Sequence, residues 1–376
     1  MDTDELDYYL PQHLIAQHGL KERDHAKLLV LHRDSGRIEC RRFCDLGDFL
    51  QPGDCLVLNN TKVIPARFFL VRATGGRIEG LLLNLNEDGC WQVLLKNASR
   101  IRPGETLRFI DQHRPRAVTP SAPVGSDKAL RSIGQRKPDD AVPDISITAR
   151  QNLGQGNWLL DVNPRCDYLE LLERFGSTPL PPYIRRGTDR EHNHIDRQRY
   201  QTIYACRPGS VAAPTAGLHF TSELIEQLRQ RDIRIARVTL HVGLGTFKPV
   251  TTDRVEDHPM HTEQYRLDQP DADLINRTIE AGRNVLAVGT TSVRTLETLA
   301  QNGRVRNGTG WTNLLITPGY RFQVTSMLLT NFHLPRTTLL ALVCAFAGVE
   351  QVLSAYARAV ELEYRFYSYG DAMLVL

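Results

Sequence analysis

The segment Asn284-Val285-Leu286-Ala287-Val288-Gly289-Thr290-Thr291-Ser292-Val293-Arg294 decides the fold of this chain. Residues 284 to 288 read as a buried strand, Gly289 as a turn, and Val293 to Leu299 as the helix that follows. Three hydroxyls beside helix-start amides make a cradle for a carboxylate, a ribose or a phosphate, or equally an ordinary helix cap. Ligands of open α/β sheets bind where strands end in this way. Working outward, the alternation recurs. Ile233 to Val242 reads as a strand; Ala272 to Gly282 and Gln351 to Tyr364 read as helices. It implies an α/β core with a mostly parallel sheet.

Towards the N-terminus, Lys27 to His32 and Asp54 to Leu58 read as short buried strands, the second entered through Gln51-Pro52-Gly53. From about Arg67 to Val162 the texture changes. Apolar runs at Phe68 to Val71, Gly80 to Leu85 and Trp91 to Leu95 alternate with Gly- and Asn-containing turns, as in a small antiparallel barrel or sandwich. Within it, 111–144 is rich in Pro, Ser, Arg and Asp and reads as a flexible surface loop. After Asp167 the helical period takes over, with Tyr168, Leu169, Leu171, Leu172 and Phe175 as a stripe and Gly176 as its terminator. Another helix opens at Thr221-Ser222-Glu223. The expected organisation is a discontinuous α/β domain, 1–66 and 163–376, with a β-domain inserted at 67–162.

Bulk properties say less. A chain of 376 residues, 41% hydrophobic and 24% charged, has the composition of an ordinary globular protein, and its length suggests two domains. A net charge of +3 is too small to advertise a nucleic-acid binder, so any RNA-binding face must be local. The acidic start Met1-Asp2-Thr3-Asp4-Glu5 lacks a signal peptide's pattern, and the apolar stretch Thr338 to Val349 is too short to span a bilayer. Seven cysteines without a CxxC pair point to reduced thiols. A cytoplasmic protein without membrane attachment is expected.

Six segments could carry chemistry. Pro208 to Phe220 is rich in small residues and ends with His219 at the mouth of a turn. His241-Val242-Gly243-Leu244-Gly245-Thr246-Phe247-Lys248 is a strand end running into a glycine-rich turn, without the third glycine of a dinucleotide fingerprint. Glu256-Asp257-His258-Pro259-Met260-His261-Thr262-Glu263 packs histidines among carboxylates, and acid–base work is favoured over a metal because Pro259 breaks any helical zinc spacing. The segment Val288 to Arg294 is the fourth. Thr330-Asn331-Phe332-His333-Leu334-Pro335 and Tyr369-Gly370-Asp371-Ala372 each set polar groups in apolar surroundings, which suits a site or a buried hydrogen-bond network.

Together and in this order these segments resemble the S-adenosylmethionine:tRNA ribosyltransferase-isomerase family of queuosine biosynthesis, the QueA family. The resemblance begins at Tyr9-Leu10-Pro11 and is strong at Leu58-Asn59-Asn60-Thr61-Lys62-Val63-Ile64-Pro65-Ala66-Arg67. It continues through Pro179 to Ile184 and Arg199-Tyr200-Gln201-Thr202 and ends at Tyr364 to Met373, with 111–144 lacking a clear counterpart. It implies an α/β domain with an inserted β-barrel. It also implies a reaction: the ribosyl group of S-adenosylmethionine moves to 7-aminomethyl-7-deazaguanine at the wobble position of tRNA and isomerises. The product is epoxyqueuosine-tRNA, with release of adenine and methionine. S-adenosylmethionine is then a consumed co-substrate, no other cofactor or metal is required, and a monomer is expected.

That chemistry needs a base for the acidified C5′ proton and an acid for the departing adenine. The candidates are His219, His241, His258, His261 and His333, with Asp257, Glu263 and Asp371 as orienting or acidic partners. Thr290, Thr291, Ser292, Arg294 and Asn331 are expected to hold the small substrate, in a pocket shaped by Thr215, Gly217, Gly243 and Gly245. Lys62, Arg67, Arg185, Arg186 and Lys248 are expected to meet the tRNA backbone, and Tyr183 or Phe220 to stack on a base. Two other readings predict different observations. A metal-dependent hydrolase built on His258, His261 and Glu263 would lose activity to a chelator; a non-catalytic RNA-binding module would bind tRNA and release no adenine.

Overall fold

The computed structural model describes residues 1–110, 145–186, 190–243 and 249–376, with only the backbone of 190–193. The loop expected at 111–144, Gly245 and Lys248 lie outside the described residues. The chain divides into two compact units, one formed by Met1–Ile64 with Thr178–Leu376 and the other by Pro65–Ser177.

In the first unit nine described strands form one sheet, in the order Gly308–Thr312, Glu263–Leu267, Arg234–Leu240, Cys55–Asn59, Val285–Val288, Met327–Asn331, Ala372–Val375, Lys27–His32 and Arg37–Arg42. From Arg234–Leu240 to Met327–Asn331 every neighbour is parallel, and antiparallel pairs flank this centre. The sheet is therefore mixed, with its parallel character concentrated in the middle. The central strands read as continuous apolar runs because both faces are covered. Leu56, Leu58, Leu286 and Val288 pack on one side with the helix Ser222–Gln230. Cys55, Val57, Val285 and Ala287 pack on the other, against the helices Gln269–Glu280, Thr290–Leu299, Thr338–Ala347 and Val349–Glu361. Among the described residues no single helix is long and apolar enough to cross a membrane; the apolar pair Thr338–Ala347 and Val349–Glu361 is bent by 114°.

The helices begin earlier than their apolar periods suggest. Gln269–Glu280 opens with Pro270 in its first turn, and Thr290–Leu299 opens directly on the hydroxyls. Polar first turns carry no hydrophobic period, so the pattern marks only the buried part of each helix.

In the second unit six antiparallel strands close into a barrel: Asn157–Asn163, Trp91–Lys96, Arg77–Leu85, Arg67–Arg72, Thr106–Phe109 and Ser146–Gly154. Phe68, Trp91 and Phe109 fill it, with ring centroids 5.6–5.9 Å apart. The helix Tyr168–Phe175 belongs to this unit rather than to the α/β part, since Phe175 stacks on Phe109 at 4.8 Å. The unit accordingly runs to Ser177, beyond the expected limit of 162.

At the end of the central strand Cys55–Asn59 a buried amide staples two strands. The Asn59 side chain accepts from the Thr61 and Leu240 N–H groups, each at 3.1 Å, and donates to the Leu240 carbonyl at 3.1 Å. Replacing it by Ala leaves buried backbone groups unpaired. Asn59→Ala is expected to destabilise the α/β unit by about 2–4 kcal/mol, measured as a lower urea midpoint.

Candidate active site

Parallel strands end on the same edge of a sheet, and a cavity of about 610 Å³ opens at that edge. Its wall is built from residues 213–216, 289–291 and 330–334, with Tyr183, Val242, Tyr367 and Ser368. Gly289 turns the chain from strand into helix at φ +83°, a left-handed conformation that a side chain would strain. That turn brings the start of the helix Thr290–Leu299 to the cavity, where Thr290 and Thr291 form part of the wall.

Two buried atoms in this wall have no hydrogen-bond partner among the described residues: Thr291 Oγ1 and Asn331 Oδ1. Buried polar atoms in folded proteins are nearly always paired, so this pair marks where a polar ligand would complete the structure. The Asn331 Nδ2 is already engaged, 3.3 Å from His219 Nε2 and donating to the Asp371 carbonyl at 3.3 Å.

His219 is 5% exposed, with its ring 4.9 Å from Phe43. Burial pushes its pKa down to about 4, against an opposing pull from Asp371. It does not line the 610 Å³ cavity. It opens instead on a neighbouring cavity of about 320 Å³, and Ser368 forms part of both walls. His333 does line the larger cavity; its Nε2 lies 2.8 Å from Thr330 Oγ1, and burial pushes its pKa to about 3. His241 sits apart from both walls with its Nδ1 2.7 Å from Thr61 Oγ1, its pKa lowered first by burial and then by Arg207.

A third cavity, of about 440 Å³, is lined by His258, His261, Glu263 and Arg294 with apolar neighbours such as Leu314 and Leu342; it shares Leu339 with the first. Here the Glu263 carboxylate pairs with the Arg294 guanidinium, both almost fully buried, and also accepts from the Gly243 N–H at 3.0 Å. Arg294 Nε donates to the Leu314 carbonyl at 3.0 Å, while its Nη2 has no hydrogen-bond partner among the described residues. Among the described residues no three His, Cys, Asp or Glu side chains converge as a metal would require.

Several candidates fall elsewhere than their sequence positions suggested. Ser292 donates to the Val288 carbonyl at 2.8 Å and is fully buried, so its hydroxyl serves the helix. Gly217 lies against Tyr204, whose hydroxyl would be 1.9 Å from an added Cβ, and not in the cavity wall. The Asp371 carboxylate is saturated by the Lys27 and Arg365 N–H groups and the Arg365 guanidinium, at 2.8–3.1 Å. Asp257 is exposed and lines none of these cavities. Phe220 is fully buried against Phe43, which removes it as a stacking surface. Tyr183 remains, lining the cavity with Tyr367 stacked on it at 4.4 Å and its hydroxyl 2.6 Å from Ser368 Oγ. Arg186 is paired with Asp196, and in the barrel Arg67 is paired with Glu79; Lys62 and Arg185 are exposed. Thr215 lies in the wall. Of the remaining wall residues, Thr330 opens one of the six quoted segments, while Tyr367 and Ser368 lie in the last stretch that carries the family resemblance and were not named as site candidates.

The family model described as queuosine biosynthesis protein matches residues 3–375. The chain belongs to this family. It is 44% identical to the S-adenosylmethionine:tRNA ribosyltransferase-isomerase of Trichlorobacter lovleyi over 99% of both chains. It is also 44% identical to the Staphylococcus saprophyticus protein of that name, over the whole of both chains. A crystal structure of S-adenosylmethionine tRNA ribosyltransferase from Thermotoga maritima is similar at 34% identity and a TM-score of 0.52, covering 99% of this chain and all of that one. Family membership agrees with the α/β core and closed barrel.

The depressed pKa of His219 has a consequence for stability. Its folded value lies below the ordinary 6.5, so the neutral ring is the form the fold accepts. The stability contributed is whole above pH 6.5 and is lost as pH falls towards 4, by about 1.4 kcal/mol for each unit between the two values. Urea melts of wild type and His219→Asn at pH 7 and pH 5 are expected to show the wild type losing more stability; parallel losses would refute the assignment.

Proposed function

We propose that this chain is an S-adenosylmethionine:tRNA ribosyltransferase-isomerase. It transfers the ribosyl group to 7-aminomethyl-7-deazaguanine at the wobble position of tRNA and forms epoxyqueuosine, releasing adenine and methionine. The observation that carries the reading is the pair of unpartnered buried atoms, Thr291 Oγ1 and Asn331 Oδ1, in one cavity at the strand ends. A nucleoside's ribose hydroxyls and ring nitrogens are groups that such atoms would bind. S-adenosylmethionine is the consumed co-substrate, with no resident cofactor, and the protein works as a cytoplasmic monomer.

The wall offers this ligand hydroxyls, an amide, aromatic rings and an uncharged imidazole. With pKa values held down by burial, the His219 and His333 rings are neutral near pH 7, so neither carries the charge of an acid. His333 is the base candidate that faces the cavity; His219 acts through Asn331 as a positioning residue. Proton donation to adenine falls to the neighbouring cavity with His258 and His261, and the apolar walls there suit the methionine chain, with Arg294 Nη2 available to its carboxylate. The exposed cations Lys62 and Arg185 serve the tRNA backbone.

The assay is incubation with S-adenosylmethionine and tRNA carrying the aminomethyl base, followed by measurement of free adenine and nucleoside mass. Adenine release with epoxyqueuosine is expected; tRNA binding without adenine release would leave an RNA-binding protein. Thr291→Val removes the unpartnered hydroxyl at nearly constant shape. It is expected to raise KM for S-adenosylmethionine roughly tenfold, with kcat changed much less, as loss of one ligand hydrogen bond requires.

A further inference from the structure

The cavity of about 320 Å³ behind His219 has three arginines in its wall, Arg23, Arg199 and Arg365. Arg23 donates to the Gln198, Gln201 and Leu218 carbonyls at 2.8–3.4 Å, and Arg199 to those of Leu20 and Lys21 at 3.0 Å. Among the described residues neither has a carboxylate within ion-pair reach. Only Arg365 is matched, by Asp371 at 3.0 Å. Nearby Arg186 shows the alternative, held by Asp196 in a two-bond ion pair. Burial and the charge of Arg199 both lower the pKa of Arg23, so the two like charges disfavour each other. Carbonyl oxygens satisfy N–H groups but bring no net charge. An oxyanion would supply it, and guanidinium groups match phosphate oxygens in geometry.

We propose that this cavity holds a backbone phosphodiester of the RNA substrate. The proposal rests on the tRNA-modifying reading above. A phosphodiester is the oxyanion that the proposed RNA substrate carries, and it needs to enter the cavity only as a group hung on a strand outside it. Its place is informative. Ser368 belongs to both walls, and His219 touches Asn331, so a phosphate held here lies one residue's thickness from the proposed transfer chamber. The three arginines would set the register of the nucleotide that enters it.

The test compares wild type with Arg199→Gln for binding of inorganic phosphate and of tRNA at several salt concentrations. Wild type is expected to bind phosphate at millimolar concentration. The variant is expected to lose that binding, to bind tRNA about tenfold more weakly at low salt, and to show a salt slope smaller by roughly 0.7 to 1. Equal tRNA affinity and slope in the two proteins would overturn the proposal and leave the functional reading standing. Phosphate binding without tRNA binding would reassign the cavity to a free anion and remove both. Binding of neither by wild type would likewise remove both. Arg199→Gln also deletes two carbonyl contacts, so a second measurement uses the unaltered chain. tRNA is expected to protect Arg23 and Arg199 from phenylglyoxal, and unchanged labelling would count against the site.

Discussion

Parallel pairing in the middle of the sheet is the constraint on which the rest depends. Val285–Val288 is flanked by Cys55–Asn59 on one side and Met327–Asn331 on the other, and both run in its direction. Three chains must therefore leave the sheet on one edge, where Asn59, Gly289 and Asn331 begin their loops. Backbone buried in such loops needs partners that no strand supplies. Side chains provide them. Asn59 ties Leu240 and Thr61, Ser210 accepts from the Val242 N–H at 2.9 Å, and Asp371 collects the amides of Lys27 and Arg365. The polar density at the strand ends is thus partly scaffolding. What marks the cavity wall is a pair of buried atoms, Thr291 Oγ1 and Asn331 Oδ1, that find no hydrogen-bond partner among the described residues.

This division explains how much could be read from sequence. Periodicity marked Val285–Val288, several of the helices and three of the barrel strands, those at Arg67–Arg72, Arg77–Leu85 and Trp91–Lys96, because each pattern is local and reports burial directly. The sequence also pointed to Thr290, Thr291 and Asn331, which the fold brings into one cavity wall, because a hydroxyl or amide at the end of an apolar strand stands out from its neighbours. Charged residues were harder. Arg294 and Glu263 stand 31 positions apart and Arg186 and Asp196 ten, and no local pattern says that they meet. Phe220 and Gly217 misled for a related reason: a small or aromatic residue beside a turn is required equally by a ligand and by a neighbouring side chain, here Phe43 or Tyr204. Arg23 and Arg199 lie 176 residues apart, and although Arg199 opens a segment that carries the family resemblance, their shared cavity became visible only in three dimensions.

Electrostatics separates the three cavities. The one at the strand ends is walled by uncharged groups, including an imidazole kept neutral by burial. The one beside Glu263 contains an internally compensated pair, and the one behind His219 carries an excess of positive charge. Neutral, balanced and cationic chambers thus sit side by side, with Leu339 shared by the first two and Ser368 by the first and third. A reaction that joins a small cationic sulfonium compound to a polyanionic nucleic acid can draw on such segregation, because each charge meets walls that do not attract the other.

The place of Ala372–Val375 in the sheet has a consequence for how the molecule is made. This strand sits between Met327–Asn331 and Lys27–His32, with Leu28 opposite Ala372. During synthesis the hairpin of Lys27–His32 and Arg37–Arg42 emerges early, yet its inner edge has no neighbour until more than 300 further residues have followed. The barrel finds all its described strand partners between residues 67 and 163 and can close while the sheet is still incomplete. Early exposure of an unpaired apolar edge invites association with other chains. The inserted barrel's strands are thus all synthesised before the sheet's last one, and their length adds to the chain that separates Leu28 to Leu31 from their mate.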